Sequence, residues 1–242
     1  MLFLDLTLPT PAENLACDEA LLDQCDADCG DEVLRVLRFW EPTSVFVVLG
    51  YANRAAAELN TDICVESGVP VLRRISGGGA VLQAPGCLNY ALVLRTSTAP
   101  ELQTTGTTNR FVMEKHRSLL ENLLGVRVTI DGVTDLVVHG RKVSGNAQRR
   151  RANAILFHGT FLLNAPVNLM EKYLRMPSRA PAYRDGRPHQ EFVANLGIDR
   201  EVLKAEIRRL WKADRQVDHW PKVEVERLVQ TKYSLSEWNL KF

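Results

Sequence analysis

The chain has 242 residues with 45% apolar and 24% charged side chains, a globular composition that supplies one large domain or two small ones. Thirty basic and 29 acidic side chains leave a formal net charge of +1, which argues against a surface built mainly for nucleic acid. No apolar run is long enough to span a bilayer, and Met1-Leu2-Phe3-Leu4-Asp5 is too short and too soon charged for a signal peptide, so no membrane partner and a cytoplasmic location are expected.

In chain order, Leu2 to Leu6 reads as an edge or first strand. Thr10-Pro11-Ala12-Glu13 is a capping box with proline at the first helical position, and predicts a helix to about Cys25. A polar loop is expected from Asp26 to Asp31. Val33 to Trp40 and Ser44 to Gly50 read as a strand pair around Glu41-Pro42-Thr43. A short helix over Asp62 to Glu66 and strands over Val69 to Arg74 and Asn89 to Arg95 follow.

Thr107 to Leu124 predicts the longest helix, with Val112, His116, Leu119, Leu120 and Leu123 on one face and Gly125 as its C-terminal cap. Val126 to Ile130 leads to a hairpin whose arms, Leu136 to Val138 and Arg141 to Ser144, meet at His139-Gly140. Ile155 to Leu163 reads as a strand and Val167 to Leu174 as a short helix. Asp199 caps an amphipathic helix with Leu203, Ile207, Leu210 and Trp211 inward, stapled by Ile198. A last helix is expected near Val223 to Thr231. No βαβ rhythm appears, so an α+β domain with a mixed sheet is the expected class.

Arg73-Arg74-Ile75-Ser76-Gly77-Gly78-Gly79-Ala80-Val81-Leu82 is the chemically most suggestive stretch. Consecutive glycines bare their amides, which can form an anion nest, and the arginines add planar forks suited to phosphate or carboxylate. The same pattern also serves as a plain turn between strands. Lys142, beside a tight turn, is either a solvated edge charge or an ammonium placed where phosphate charge develops. His158 is either an acid–base group or a hydrogen-bonded core or rim histidine. Asp135 can end a turn, orient a lysine or bind a metal, and Trp40 can pack in the core or wall a pocket. Arg149-Arg150-Arg151 reads as a solvated basic loop or a docking surface for an acidic partner.

The five cysteines, Cys17, Cys25, Cys29, Cys64 and Cys87, are an odd number with one lone C-x3-C pair, which fits reduced structural thiols better than metal ligands. Neither a G-x-x-x-x-G-K-[ST] loop nor a G-x-S-x-G elbow is present.

Four motifs in order resemble the lipoate–protein ligase A family, within the biotin/lipoate ligase superfamily. They are Arg73 to Val81, Thr134 to Val138, Gly140 to Ala147, and Phe157 to Asn164. The resemblance runs from the first helix to Tyr233-Ser234-Leu235-Ser236-Glu237-Trp238-Asn239. It implies a mixed, largely antiparallel sheet flanked by helices and one catalytic domain over 1–242; the family's usual C-terminal accessory domain is expected to be absent, either supplied by a separate protein or dispensed with. It also implies ATP-dependent activation of lipoate to lipoyl-AMP, with magnesium accompanying the ATP. The acyl group then passes to a lysine of a lipoyl domain (an E2 subunit) or of the glycine-cleavage H protein.

Carried over by position, Arg74, Gly79, Ala80, Val81, Leu82, Asp135 and Lys142 would hold the nucleotide or adenylate. Trp40, Arg74, Ser76, Gly77, Gly78, Lys142, His158 and Gly159 would hold lipoate, and Lys142 would be catalytic. Gln83-Ala84-Pro85-Gly86-Cys87 departs from the family's usual His-Asp-x-Gly-Asn. The rival within the same fold is an octanoyl or lipoyl transferase, which needs a cysteine thioester; Cys87 is the cysteine nearest the glycines, and none lies in Val126 to Asp135.

Overall fold

The computed structural model describes residues 1–28 and 34–242. Its strands are β1 (Leu2–Asp5), β2 (Val36–Trp40), β3 (Phe46–Leu49), β4 (Val71–Arg73), β5 (Val81–Gln83), β6 (Cys87–Arg95), β7 (Val128–Asp131), β8 (Asp135–Val138), β9 (Arg141–Arg150), β10 (Ala154–Leu162) and β11 (Arg215–Gln216). Eight form one sheet in the order β11-β1-β2-β6-β10-β9-β8-β7, and three form a second, β4-β3-β5. The larger sheet is parallel at β11-β1-β2 and antiparallel from there on, so the architecture is α+β with a mixed sheet.

The centre of the larger sheet is β6 against β10, paired over nine residues from Ala154 opposite Arg95 to Leu162 opposite Cys87. The segment Cys-Leu-Asn-Tyr-Ala-Leu-Val-Leu of β6 is buried on both faces, as a strand covered on two sides must be. One face carries Tyr90, Leu92, Phe157 and Phe161. It packs on α4 (Thr105–Leu124) and α7 (Arg200–Trp211) through Val112, Leu120, Leu203 and Ile207. Each such side chain contributes roughly 1.5–3 kcal/mol on full burial. The other face meets α1 (Pro11–Ala27) and the small sheet.

The helix signals act locally. Thr10 and Glu13 make the reciprocal capping-box bonds of α1. Thr104, three residues before the expected start, caps α4 together with Thr107, and Gly125 closes it at φ 67°. Asp199 accepts from the amides of Glu201 and Val202 at the start of α7.

Three expectations are corrected. The segments ending at Trp40 and Gly50 do not pair: β2 joins the large sheet and β3 the small one, because Glu41-Pro42-Thr43 carries the chain between layers. Leu2–Asp5 is the first strand, one of the two expected alternatives, and lies between β11 and β2. Arg149-Arg150-Arg151 is no solvated loop, since Arg149 and Arg150 continue β9, and Arg150 donates to the carbonyls of Leu102 and Gln103 while Arg151 pairs with Glu19 and Asp23. The expected last helix divides into an α-helical stretch, Lys222–Leu228, and a wider turn, Val229–Tyr233. Asp26 of the expected polar loop is helical and accepts from the amides of Asn153 and Ala154. Cys29, Asp31 and Val33 lie outside the described residues.

Candidate functional site

Between the two sheets lies a cavity of about 630 Å³, a volume suited to a small-molecule ligand. The small sheet contributes Val48 and Val81 to Gln83. The large sheet contributes Trp40, Asn89, Gly145, Ala147, His158 and Thr160, and the segment 174–193 closes a third side.

The glycine segment forms one wall, joining β4 to β5. Gly78 has φ 91°, and a Cβ at Gly50 would lie 2.0 Å from the Gly78 carbonyl oxygen, so two chain segments pass closely where neither carries a side chain. Neither arginine presents an open fork. Arg73 is fully buried and donates to the carbonyls of Gly50, Tyr51, Asn53 and Trp238. Its role as an anion fork is thereby corrected: it ties the wall to the C-terminal segment, where Trp238 Nε1 donates back to its carbonyl.

Arg74 borders the cavity, but its guanidinium donates to Ser76 Oγ and to the carbonyls of Val48, Gly77 and Gly79. Burial lowers its pKa to about 10, which leaves it charged at neutral pH. Arg74 therefore shapes the glycine turn from inside. Ser76 is buried behind the cavity surface and Gly77 is exposed outside it, whereas Gly78, Gly79, Ala80, Val81 and Leu82 border it.

The opposite wall carries Lys142. Its Nζ lies 2.8 Å from Asp135 Oδ1, across the hairpin turn that joins β8 to β9. The second carboxylate oxygen accepts from Tyr183 Oη at 2.7 Å. Burial and the adjacent Asp135 charge raise the Tyr183 pKa, so the phenol stays a donor. A Cβ at Gly145 would lie 2.8 Å from Lys142 Nζ, so a side chain there would push the end of the lysine aside. Its carbonyl is held by the Ala194 amide at 2.9 Å. One of three Nζ donors serves Asp135, and two remain for a ligand.

His158 Nε2 lies 2.6 Å from Ser76 Oγ, and Nδ1 lies 3.6 Å from Asp18 Oδ2. The imidazole thus pins the glycine segment to β10, the rim-histidine reading. Asp18 is buried, which opposes its ionisation, yet the Arg38 guanidinium at 2.5 Å and His158 hold its pKa below the ordinary value. Gly159, Trp40 and Asp135 also border the cavity.

Sequence reasoning did not find Asp18, Asn89, Thr160 or Tyr183. Asp18 is hidden in a helix, Asn89 in an apolar run, and Tyr183 in a segment with no motif. Among the described residues no cysteine borders the cavity. Cys17, Cys25, Cys64 and Cys87 are buried free thiols, and burial pushes Cys87 up to about 12. No helix among the described residues is long and apolar enough to cross a membrane.

Comparison with known proteins agrees with this architecture. The family described as the lipoyl protein ligase A/B catalytic domain matches residues 10–208. Lipoate-protein ligase LplJ of Bacillus subtilis is 28% identical over 213 residues, and the match spans 86% of this chain but 60% of LplJ. Octanoyltransferase LipM of Carboxydothermus hydrogenoformans is 30% identical over 276 residues, spanning 99% of this chain and 98% of LipM.

A lipoate-protein ligase A crystallised with ATP superimposes with a TM-score of 0.82 at 23% identity, covering 99% of this chain and 98% of the other. A Thermoplasma acidophilum bi-partite lipoate protein ligase, studied with its E2 lipoyl domain, gives 0.81 at 24% identity, covering 99% and 95%. At those identities the likeness is one of fold. With residues 10–208 matched, the chain belongs to the lipoyl protein ligase A/B catalytic-domain family.

Proposed function

We propose that this chain is an ATP-dependent lipoate–protein ligase. The observation that carries the reading is the pairing of a ligand-ready Lys142 with a cavity that no described cysteine borders. A transferase of this fold routes the acyl group through a thiolate, and a thiol at about 12, walled off from the cavity like Cys87, is neither ionised nor within reach. An adenylating enzyme needs no nucleophile of its own. It needs fixed positive charge where phosphate charge builds.

In the first step the lipoate carboxylate attacks the α-phosphorus of ATP, the bond to the β-phosphate oxygen breaks, and pyrophosphate leaves. In the second, an acceptor lysine amine attacks the lipoyl carbonyl, AMP leaves, and the amine loses a proton. Lys142 serves both steps through its two remaining Nζ donors, first at the α-phosphate and then at the acyl carbonyl, while Asp135 fixes its direction. Gly79 to Leu82 supply the backbone wall for the nucleotide, and Trp40, Gly159 and His158 border the acyl side. Among the described residues no group of three His, Cys, Asp or Glu side chains is placed to hold a metal, and both Asp135 oxygens are engaged. Magnesium, when bound with ATP, would neutralise phosphate charge.

The acceptors are lipoyl domains of E2 subunits or the H protein, and a separate accessory protein completes the assembly where one is needed. The bi-partite neighbour supports that last element. A second reading, a cysteine-dependent octanoyl or lipoyl transferase, draws on the match to LipM along nearly its full length. Mass spectrometry of a lipoyl-domain acceptor distinguishes the two. The ligase reading expects modification with lipoate plus ATP and none with octanoyl carrier protein alone; the reverse pattern supports the transferase.

A further inference from the structure

Lys142 reaches the cavity because its strand breaks register beside it. Along β9, Gly145 and Ala147 border the cavity, and strict alternation would bring Val143 to that side and turn Lys142 away. The reverse holds: Val143 is buried in the core with Leu136 and Phe161, and Lys142 borders the cavity. The cause lies in the β8–β9 pairing. Leu136 stands opposite Ser144 but Val137 stands opposite Lys142, so Val143 is an extra residue. Such a bulge re-aims the side chains beyond it, since a shift of one residue exchanges the two faces of a strand.

The bulge is secured beyond the last backbone pair. Counted on from Leu136 and Ser144, Thr134 falls opposite Asn146. Side chains clasp these two: Asn146 Nδ2 donates to the Thr134 carbonyl at 2.7 Å, and Thr134 Oγ1 donates to the Asn146 carbonyl at 2.7 Å. Asn146 Nδ2 also donates to Ser144 Oγ at 3.3 Å, and Asn146 Oδ1 accepts from Tyr90 Oη at 2.6 Å.

That last bond crosses a whole strand. Gly159 of β10 stands between the two residues, opposite Asn146 on one side and Tyr90 on the other. A Cβ at Gly159 would lie 1.8 Å from Asn146 Oδ1 and 2.9 Å from the Gly145 carbonyl oxygen, so only a bare position lets the phenol and the amide meet. Asn146 borders the cavity, yet both hydrogens and the oxygen of its amide end on the protein.

We infer that Asn146 is a positioning residue, which locks the register of the β8–β9 hairpin so that Lys142 and Asp135 meet at the cavity. Asp135 directly follows Thr134, so one clasp fixes the carboxylate and the ammonium together. A slip of β9 by one residue breaks both Thr134 bonds and turns Lys142 to the other face. The inference rests on the ligase reading only for the reaction that Lys142 serves.

Two measurements on the whole chain separate this role from plain stability. ATP–pyrophosphate exchange with lipoate is expected to fall about tenfold in kcat for Asn146→Ala, with KM for lipoate and for ATP within about twofold of the wild type. Thr134→Val, which removes one of the two bonds and keeps the side chain's shape, should lose about threefold in kcat. In NMR spectra the Cε–Hε resonances of Lys142, assigned by their loss in Lys142→Arg, should move in both variants toward their position in Asp135→Ala. Where Asn146→Ala fails to fold, Thr134→Val decides alone. Lys142 resonances unmoved in a folded variant, wild-type kcat despite moved resonances, or a loss carried by KM overturns the inference. Moved resonances alongside a wild type that catalyses no exchange overturn the ligase reading and leave the register lock standing.

Discussion

Arg74 and Lys142 face the same cavity from opposite walls, and both are cations beside glycines, yet the fold uses them differently. Arg74 sits inside its wall and gives its donors to the turn that carries Gly77 and Gly79. Lys142 lies on the cavity side of its strand with one carboxylate partner and two donors in reserve. A guanidinium with five fixed donors suits the organisation of several carbonyls, whereas an ammonium with rotatable donors can follow a reaction from phosphate to carbonyl. The difference teaches that a basic residue beside glycines can be architecture or chemistry, depending on whether its donors end on the protein.

The largest effect that sharpens this contrast is expected from Arg74→Ala. It orphans carbonyls of the glycine turn and costs about 3 kcal/mol or more, read as a lowered midpoint in urea unfolding. Arg74→Lys should recover little, since one ammonium cannot span Val48, Gly77 and Gly79. If Arg74→Ala keeps wild-type stability, the architectural role is wrong.

Asp135→Asn keeps the shape of the lysine's partner and removes its charge. Exchange activity is expected to fall about tenfold to a hundredfold through kcat, with little change in unfolding midpoint, because the loss is one of positioning. Tyr183→Phe should move the same parameter less, as it acts on Lys142 only through Asp135.

A smaller effect comes from the face of the large sheet away from the cavity. His116 is fully buried there, accepts from Trp211 Nε1 at 3.0 Å, and is lowered to about 3 by burial, with a smaller contribution from Lys115. Its folded pKa is depressed, so the unfolded chain binds the proton first. The stability it contributes is complete above about 6.5 and declines between 6.5 and 3, at up to roughly 1.4 kcal/mol per pH unit. Urea unfolding at pH 7 and 5 should show His116→Gln to be less acid-sensitive than the wild type.

Cys87→Ala carries the smallest expected effect on chemistry. Acceptor lipoylation should stay within about twofold, with a modest stability loss from the removed sulfur. An acyl thioester trapped at Cys87 would instead support the transferase.

The two walls were unequally legible in the sequence. The hairpin that brings Asp135 to Lys142 is a local unit, with its turn at His139-Gly140 and β-branched arms close in sequence, so the pair could be read with few assumptions. The fate of Arg73 was not readable, because its partners are carbonyls at Gly50, Asn53 and Trp238, far away along the chain. The separation of β2 from β3 was missed for a related reason: a short proline-containing link fits a hairpin and a change of layer equally well. Asn89 and Thr160 were hidden by the alternation of β6 and β10, whose strands are apolar enough on both faces to read as continuous core.

The central claim is that Lys142 acts on the substrate while the fold does not depend on it. ATP–pyrophosphate exchange with lipoate, measured for Lys142→Ala beside its unfolding midpoint, tests that most directly. The account predicts exchange reduced by about a thousandfold with the midpoint nearly unchanged. Exchange at the wild-type rate in the folded variant would contradict it.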